Sequence, residues 1–251
     1  MSQSRLTASL RLADRFQISD FAYAHRGLWT IGGLTENSLE ACLAAAAEGL
    51  GIEFDVRPSK DGVPLVFHDP VLDRMTDESG RFEDRTADAL LGLSLKGGGE
   101  IISLERLLTL WPAQTPLLCE MKIDGNTNPT AFTQTVADLL LTHSGPVAAM
   151  SFSRRAVAAL PASLMRGQLI APSSDTGHDD LAATPRVPVD YLACHVSDVK
   201  NETLQHARNT LPLITWTVRR EADCLALSDF TDSQIFEGFD PVLAKRHILN
   251  K

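Results

Sequence analysis

Eight apolar runs of strand length, most of them followed by a helix-like segment, alternate through 251 residues, and no composition shift, tandem repeat or low-complexity tract divides them. Strands separated by helices pair in parallel, and eight strand–helix steps in a chain of this length predict an α/β fold, a (β/α)8 TIM-like barrel. One domain covering residues 1–251 is the economical reading, with a small insertion after the second strand at about 58–105.

The first strand is "FAYAH", which stops at His25, Arg26 and Gly27. A base, a fixed cation and a permissive backbone position thus follow one another at a strand end. Asn37–Gly49, rich in Ala and Leu, supplies the first helix. In the second strand, "GIEFDVR", residues two apart share a face, so Glu53 and Asp55 point one way and Ile52, Phe54 and Val56 the other. Two neighbouring carboxylates in a mostly apolar strand repel, and a divalent cation with hard oxygen ligands removes that conflict.

The passage from Pro58 to Glu105 is too long for an ordinary loop. It contains the strand-like "VPLVFH", ending in His68, and the glycine-rich "KGGGE", and it is read as an extra hairpin plus an insertion over one barrel mouth. The glycines lack the strand-turn-helix frame of a phosphate-binding loop and are read as a flexible loop. The third strand, "PLLCEMKI", puts Glu120 and Lys122 on one face, as an ion pair along the strand or as part of a site.

Pro129–His143 then forms a helix, followed by "VAAMSF" with Arg154–Leu160, "MRGQLIA" with Asp179–Ala183, "VDYLACHV" with Glu202–Asn209, "LPLITWTV" with Glu221–Asp229, and finally "SQIFEGF". His195 ends a strand and is read as structural, although it is placed to line a pocket; Trp216 belongs either to the core or to a pocket wall. In a barrel the strand C-terminal ends converge, so His25, Glu53, Asp55, Glu120 and Lys122 should meet at one mouth. His68 would bring a second imidazole there.

The formal charge of −9 opposes binding to nucleic acid or an anionic membrane, and an anionic substrate would need a locally positive pocket. Cys42, Cys119, Cys194 and Cys224 lie far apart with no CxxC pair, which suits reduced thiols in the cytoplasm. No uncharged run is long enough to span a bilayer, and charges break every apolar run in the first 21 residues, so neither a membrane span nor a secretory leader is expected.

The segments "AHRG", "TENSLEA", "IEFDVRPSKDGVPLVFHDPVLDRMT", "LLCEMK", "MSF" and "ITWTV", in this order and spacing, resemble the glycerophosphodiester phosphodiesterase family over most of the chain. The resemblance implies metal-dependent hydrolysis of glycerophosphodiesters to glycerol 3-phosphate and an alcohol. It places the metal carboxylates on Glu53, Asp55 and Glu120, the acid/base pair on His25 and His68, and the phosphate-binding groups on Arg26 and Lys122. Asn37 of the matching Glu36–Asn37 pair would lie near the first histidine and the phosphate or cap the following helix. One divalent cation, Mg²⁺ or Ca²⁺ with Mn²⁺ as a substitute, suits the all-oxygen set. Two departures, Arg219 after "WTV" and "IFEGFDP" at the last strand, concern the alcohol-side and rim contacts. A lysophospholipase D-like activity and a non-catalytic phosphodiester- or metal-binding sensor are the alternatives; neither the alcohol nor the oligomeric state is legible.

Overall fold

The computed structural model describes residues 16–125, 127–176 and 187–249. Eight parallel strands close into a barrel: β1 (Tyr23–His25), β2 (Gly51–Pro58), β4 (Leu117–Met121), β5 (Val147–Ser151), β6 (Met165–Ile170), β7 (Tyr191–His195), β8 (Leu213–Val218) and β9 (Ser233–Phe236). Each pairs with the next, and β9 pairs back onto β1, which also pairs with β2. All eight coincide with the apolar runs expected to be strands. The remaining strand, β3 (Pro64–Val66), runs antiparallel to β2 with Val56 opposite Val66, which is the expected hairpin.

Around the barrel lie α1 (Leu39–Ala47), α2 (Ala87–Leu90), α3 (Leu104–Leu110), α4 (Pro129–Leu140), α5 (Arg154–Ala159), α6 (Ser173–Thr176), α7 (Glu202–Arg208), α8 (Glu221–Leu227) and α9 (Pro241–Leu249). Their starts are written in the sequence: Ser38, Ser103 and Ser153 each accept a hydrogen bond from a backbone N–H three residues on, and Asn128 and Asn201 accept equivalent bonds. Ser38, not Asn37, therefore caps α1. The expected helix at 179–183 lies outside the described residues, while α3 and α9 are helices that the periodicity left unread. No helix among the described residues is long and apolar enough to cross a membrane.

Strand parity divides the apolar side chains into layers. Ile52, Phe54, Val56, Cys119 and Met121 point outward and pack with helix residues such as Cys42, Ala45, Leu107 and Val136. Tyr23, Leu118, Met150, Tyr191, Ala193 and Ile235 fill the barrel interior and form the floor beneath the site. A third cluster, Leu65, Phe67, Leu72, Phe82, Leu90 and Ile101, gives the insertion its own core. The "KGGGE" stretch is a closed turn with positive φ at Gly97, Gly98 and Gly99, in which the Leu95 N–H donates to the Gly99 carbonyl at 3.0 Å. It is tied to the rest of the insertion by the Lys96 N–H, which donates to the Met75 carbonyl at 2.7 Å.

Two glycines show how tightly the first strand end is built. Gly27 has φ +84°, and a Cβ there would lie 2.6–2.8 Å from backbone atoms of Ala41 and Cys42 in α1. Gly49, just past α1, has φ +69° and open space around its absent Cβ. Gly49→Ala should cost only the left-handed conformation, about 1–2 kcal/mol. Gly27→Ala adds a backbone clash and should cost clearly more, on the order of 3 kcal/mol or above. Denaturant unfolding of the two variants checks this ordering; equal losses would show that α1 can move away from the strand end.

Candidate active site

The geometry begins on β2. Its even-numbered residues face the helices, so Glu53 and Asp55 face inward, at 2% and 1% exposure, with no apolar alternative for that face. Parallel register sets Glu53 beside His25 of β1 and Asp55 beside Glu120 of β4. One oxygen from each of Glu53, Asp55 and Glu120 lies within 4.8 Å of the others. Burial, reinforced by Asp55 and Glu120, holds the Glu53 carboxyl well above its ordinary value. Burial also raises Glu120, against the pull of Lys122, whereas at Asp55 burial is outweighed by Lys122 and Arg26 and the carboxyl stays ionised.

Lys122, immediately after β4, reaches Asp55 Oδ1 at 2.9 Å and Glu120 Oε1 at 2.5 Å. Arg26 approaches Asp55 Oδ2 at 3.2 Å and donates to Glu36 Oε1 at 2.8 Å. The backbone puts it there by force: Arg26 and Asn37 carry φ of +58° and +56°, the two non-glycine residues in the left-handed region among the described residues. The Asn37 N–H donates to the Arg26 carbonyl, locking the two turns together. The Asn37 side chain donates to Asp55 Oδ2 at 2.8 Å and accepts from the Asp55 N–H at 3.3 Å. Asn37 thus orients a carboxylate from beneath, at 4% exposure.

The two histidines flank the carboxylates. His25 Nε2 lies 3.7 Å from Glu53 Oε2, and His25 Nδ1 makes a short hydrogen bond with Glu237. His68, at the end of the β3 hairpin, bonds Asp69 Oδ1 through Nδ1 at 2.7 Å, and its carbonyl accepts from Arg57 Nε at 2.7 Å. Burial lowers both imidazoles below their ordinary value, opposed at His25 by Glu237 and at His68 by Asp55, so both favour the neutral ring. Three charged residues to which the sequence assigns no role, Asp69, Arg74 and Glu237, join the site, and Arg219, one of the two departures at the rim, contacts Glu237. Arg74 binds Asp69 and, through two bonds of 2.7 and 2.9 Å, Glu36, so a chain of charges runs from His68 to Arg26. Asp69 was detectable, since it directly follows His68 in "VFHDP"; Glu237 lies 212 residues from His25 and left no local signal.

The two histidines, Arg26, Lys122 and the Glu53 and Glu120 carboxylates line a cleft of about 400 Å³ at the C-terminal ends of the strands, with Asp55 directly beside them. His25, Arg26, Glu53, His68, Glu120 and Lys122 form its polar wall, and Phe152, Leu169 and Trp216 an apolar one. Trp216 is edge-on to both Phe152 (5.6 Å) and His195 (5.1 Å), making it a pocket wall, and His195 lines the cleft as well. A second cleft of about 350 Å³, between the insertion and α4, contains none of these groups.

Neither Glu53 oxygen receives a hydrogen bond among the described residues. Three inward carboxylates, one of them without a donor, fit a hard divalent cation. The sign of the pH dependence follows. Because the folded Glu53 carboxyl titrates above its ordinary value, the folded state binds more protons than the unfolded one from about that value upward. In chelator, stability should therefore fall as pH rises through this window; Glu53→Gln should flatten the slope, and a divalent cation should reverse it. Denaturant midpoints against pH check this, and a flat or rising wild-type profile in chelator would contradict it.

Residues 25–236 match the model of the glycerophosphoryl diester phosphodiesterase family. Glycerophosphodiester phosphodiesterase 1 of Rattus norvegicus is 38% identical over 102 residues, 39% of this chain and 30% of that protein. The Homo sapiens protein of that name is 39% identical over 74 residues, 29% of this chain and 22% of that protein. The matches thus span less than a third of these relatives' length. Among solved structures, an Oleispira antarctica phosphodiesterase in complex with the product sn-glycerol-3-phosphate superposes with a TM-score of 0.76 at 21% identity, covering 96% of this chain and 99% of that one. A glycerophosphodiester phosphodiesterase from Thermotoga maritima superposes with a TM-score of 0.71, also at 21% identity, over 86% and 93% of the two chains. With the family match running from the first histidine to the end of the last barrel strand, this chain belongs to the glycerophosphoryl diester phosphodiesterase family.

Proposed function

We propose that the chain, acting as one domain, hydrolyses glycerophosphodiesters to glycerol 3-phosphate and an alcohol with one divalent cation, Mg²⁺ or Ca²⁺ with Mn²⁺ as a substitute. The observation that carries this reading is the meeting of the Glu53–Asp55–Glu120 cluster, two carboxylate-backed histidines and two cations in one cleft. Glu53, Asp55 and Glu120 are the residues that would hold the ion, whose chemistry when bound is to neutralise charge on the phosphoryl oxygens.

The chain's own groups do the rest. Arg26 is anchored by Glu36 and Asp55, so its guanidinium is fixed before substrate arrives and offers a planar fork to non-bridging oxygens. Lys122, whose Nζ lies at the Asp55 and Glu120 carboxylates in the cleft, supplies a second positive charge for the phosphate. His25 and His68 both spend Nδ1 on a carboxylate, which leaves Nε2 of each ring to move protons in the cleft. Since both rings favour the neutral form, the resting site holds bases. A diester anion bound between them raises the proton affinity of each, and one then carries the proton that the leaving alkoxide requires.

A second reading rests on the apolar wall. Phe152 is 41% exposed beside Trp216, a surface that would also accept the acyl chain of a lysophospholipid. Cys42, Cys119, Cys194 and Cys224 are buried and form no disulfide, which supports a reducing cytoplasmic setting.

Turnover of a panel of glycerophosphodiesters and lysophospholipids, with glycerol 3-phosphate assayed as product, tests both readings. Excess chelator should abolish activity, and His25→Ala and His68→Ala should each lower kcat/KM by ~10²–10⁴ while remaining folded by circular dichroism. Full activity in chelator would refute the reading, and a folded His68→Ala enzyme with normal turnover would remove that residue from the mechanism.

A further inference from the structure

Arg219 and Glu237 stand where the sequence departs from the family pattern, and they meet across the rim of the barrel. Glu237 follows β9 directly, and its backbone N–H donates to the Val218 carbonyl at the end of β8, the residue before Arg219. The two strand ends are therefore tied before the side chains touch. One Glu237 oxygen contacts His25 Nδ1, and the other accepts from Arg219 Nε at 2.6 Å. The Glu237 side chain is 10% exposed, whereas that of Arg219 is 59% exposed.

An arginine–carboxylate pair at a rim is commonly a surface salt bridge of little consequence. Two observations argue against that here. The carboxylate is nearly buried, and its inner oxygen is committed to a histidine of the cleft. The arrangement also recurs at the other histidine, where Asp69 backs His68 Nδ1 and is itself held by Arg74. Two distant parts of the chain thus build the same motif: imidazole, carboxylate, guanidinium.

A carboxylate only accepts hydrogen bonds, so the nitrogen facing it must carry the proton. In the neutral ring Nε2 is then bare, and it is Nε2 that lies 3.7 Å from Glu53 and faces the cleft. We propose that Glu237 is a positioning residue that holds His25 as the Nδ1–H tautomer with Nε2 presented to the phosphodiester, and that Arg219 clamps Glu237 in this position. The proposal rests on the reading of His25 as a proton-transfer group.

Glu237→Gln keeps the shape, but a carboxamide donates as well as accepts, so the tautomer is no longer enforced. The expected result is a kcat lowered by about 10–100-fold, as for other outer partners of functional histidines, with KM nearly unchanged. Nitrogen NMR of the histidine rings in alkaline buffer, with His25→Ala used for assignment, should show a single Nδ1–H form in the wild type and a mixture in the variant. A folded Glu237→Gln enzyme with wild-type kcat, one whose loss lies wholly in KM, or one whose tautomer is unchanged would overturn the proposal. Should that variant not fold, Arg219→Gln at the exposed end of the pair tests the same claim: a smaller kcat loss with partial tautomer mixing supports it, and wild-type kcat with a single tautomer overturns it. If His25→Ala itself retains wild-type turnover, the reading of His25 fails; if it is inactive while Glu237→Gln is fully active, the positioning role alone fails.

Discussion

Three carboxylates buried on one wall of a barrel set the conditions for the rest of this structure. Glu53, Asp55 and Glu120 are drawn inward by strand parity and brought side by side by parallel register, and neither constraint can be relaxed locally. Shifting β2 by one residue would turn Ile52, Phe54 and Val56 into the cleft and expose the helices to charge. The surroundings therefore adapt to the carboxylates. Lys122 and Arg26 approach them, Asn37 donates to Asp55, and the loop after β1 takes up two left-handed non-glycine conformations to bring Arg26 and Asn37 into reach. Strain of that kind persists only where neighbouring structure over-determines it, and here it collects at the strand ends where chemistry belongs.

The offset is incomplete, and the incompleteness carries the functional meaning. Asp55 has three partners, whereas Glu53 has none that donates a hydrogen bond among the described residues. A structural ion-pair network would satisfy every member. A site that must accept a cation and then an anion needs one group left over, with neutral bases on either side.

Much of this was legible in the sequence because it depends on short-range rules. Parity on "GIEFDVR" and "CEMKI" located the carboxylates and Lys122 on the inward face, and the alternation of apolar runs located all eight barrel strands. What stayed hidden depends on distance or on weak patterns. α3 carries a buried Leu104, Leu107 and Leu108 stripe but follows directly on the insertion and reads as its continuation, whereas α9 is short and buries the widely spaced Ala244 and Ile248. Asn37 was open to a capping role because Asn is a good cap, but Ser38 takes that place and frees the Asn37 amide for Asp55. The partners of the histidines divide in the same way: Asp69 is the next residue to His68, while Glu237 meets His25 only because β9 closes the barrel onto β1.

The central claim is that the buried carboxylates are poised for one divalent cation, with Glu53, held above its ordinary value by burial and by Asp55 and Glu120, as the group that the ion completes. Calorimetric titration of chelator-stripped protein with Mg²⁺ or Ca²⁺, repeated in buffers of different ionisation enthalpy, reads both binding and proton release. The account predicts one ion per chain, protons displaced on binding because the Glu53 carboxyl is held above its ordinary value, and both signals weakened in Glu53→Gln. Absence of binding in the wild type, or binding untouched by Glu53→Gln, would contradict it.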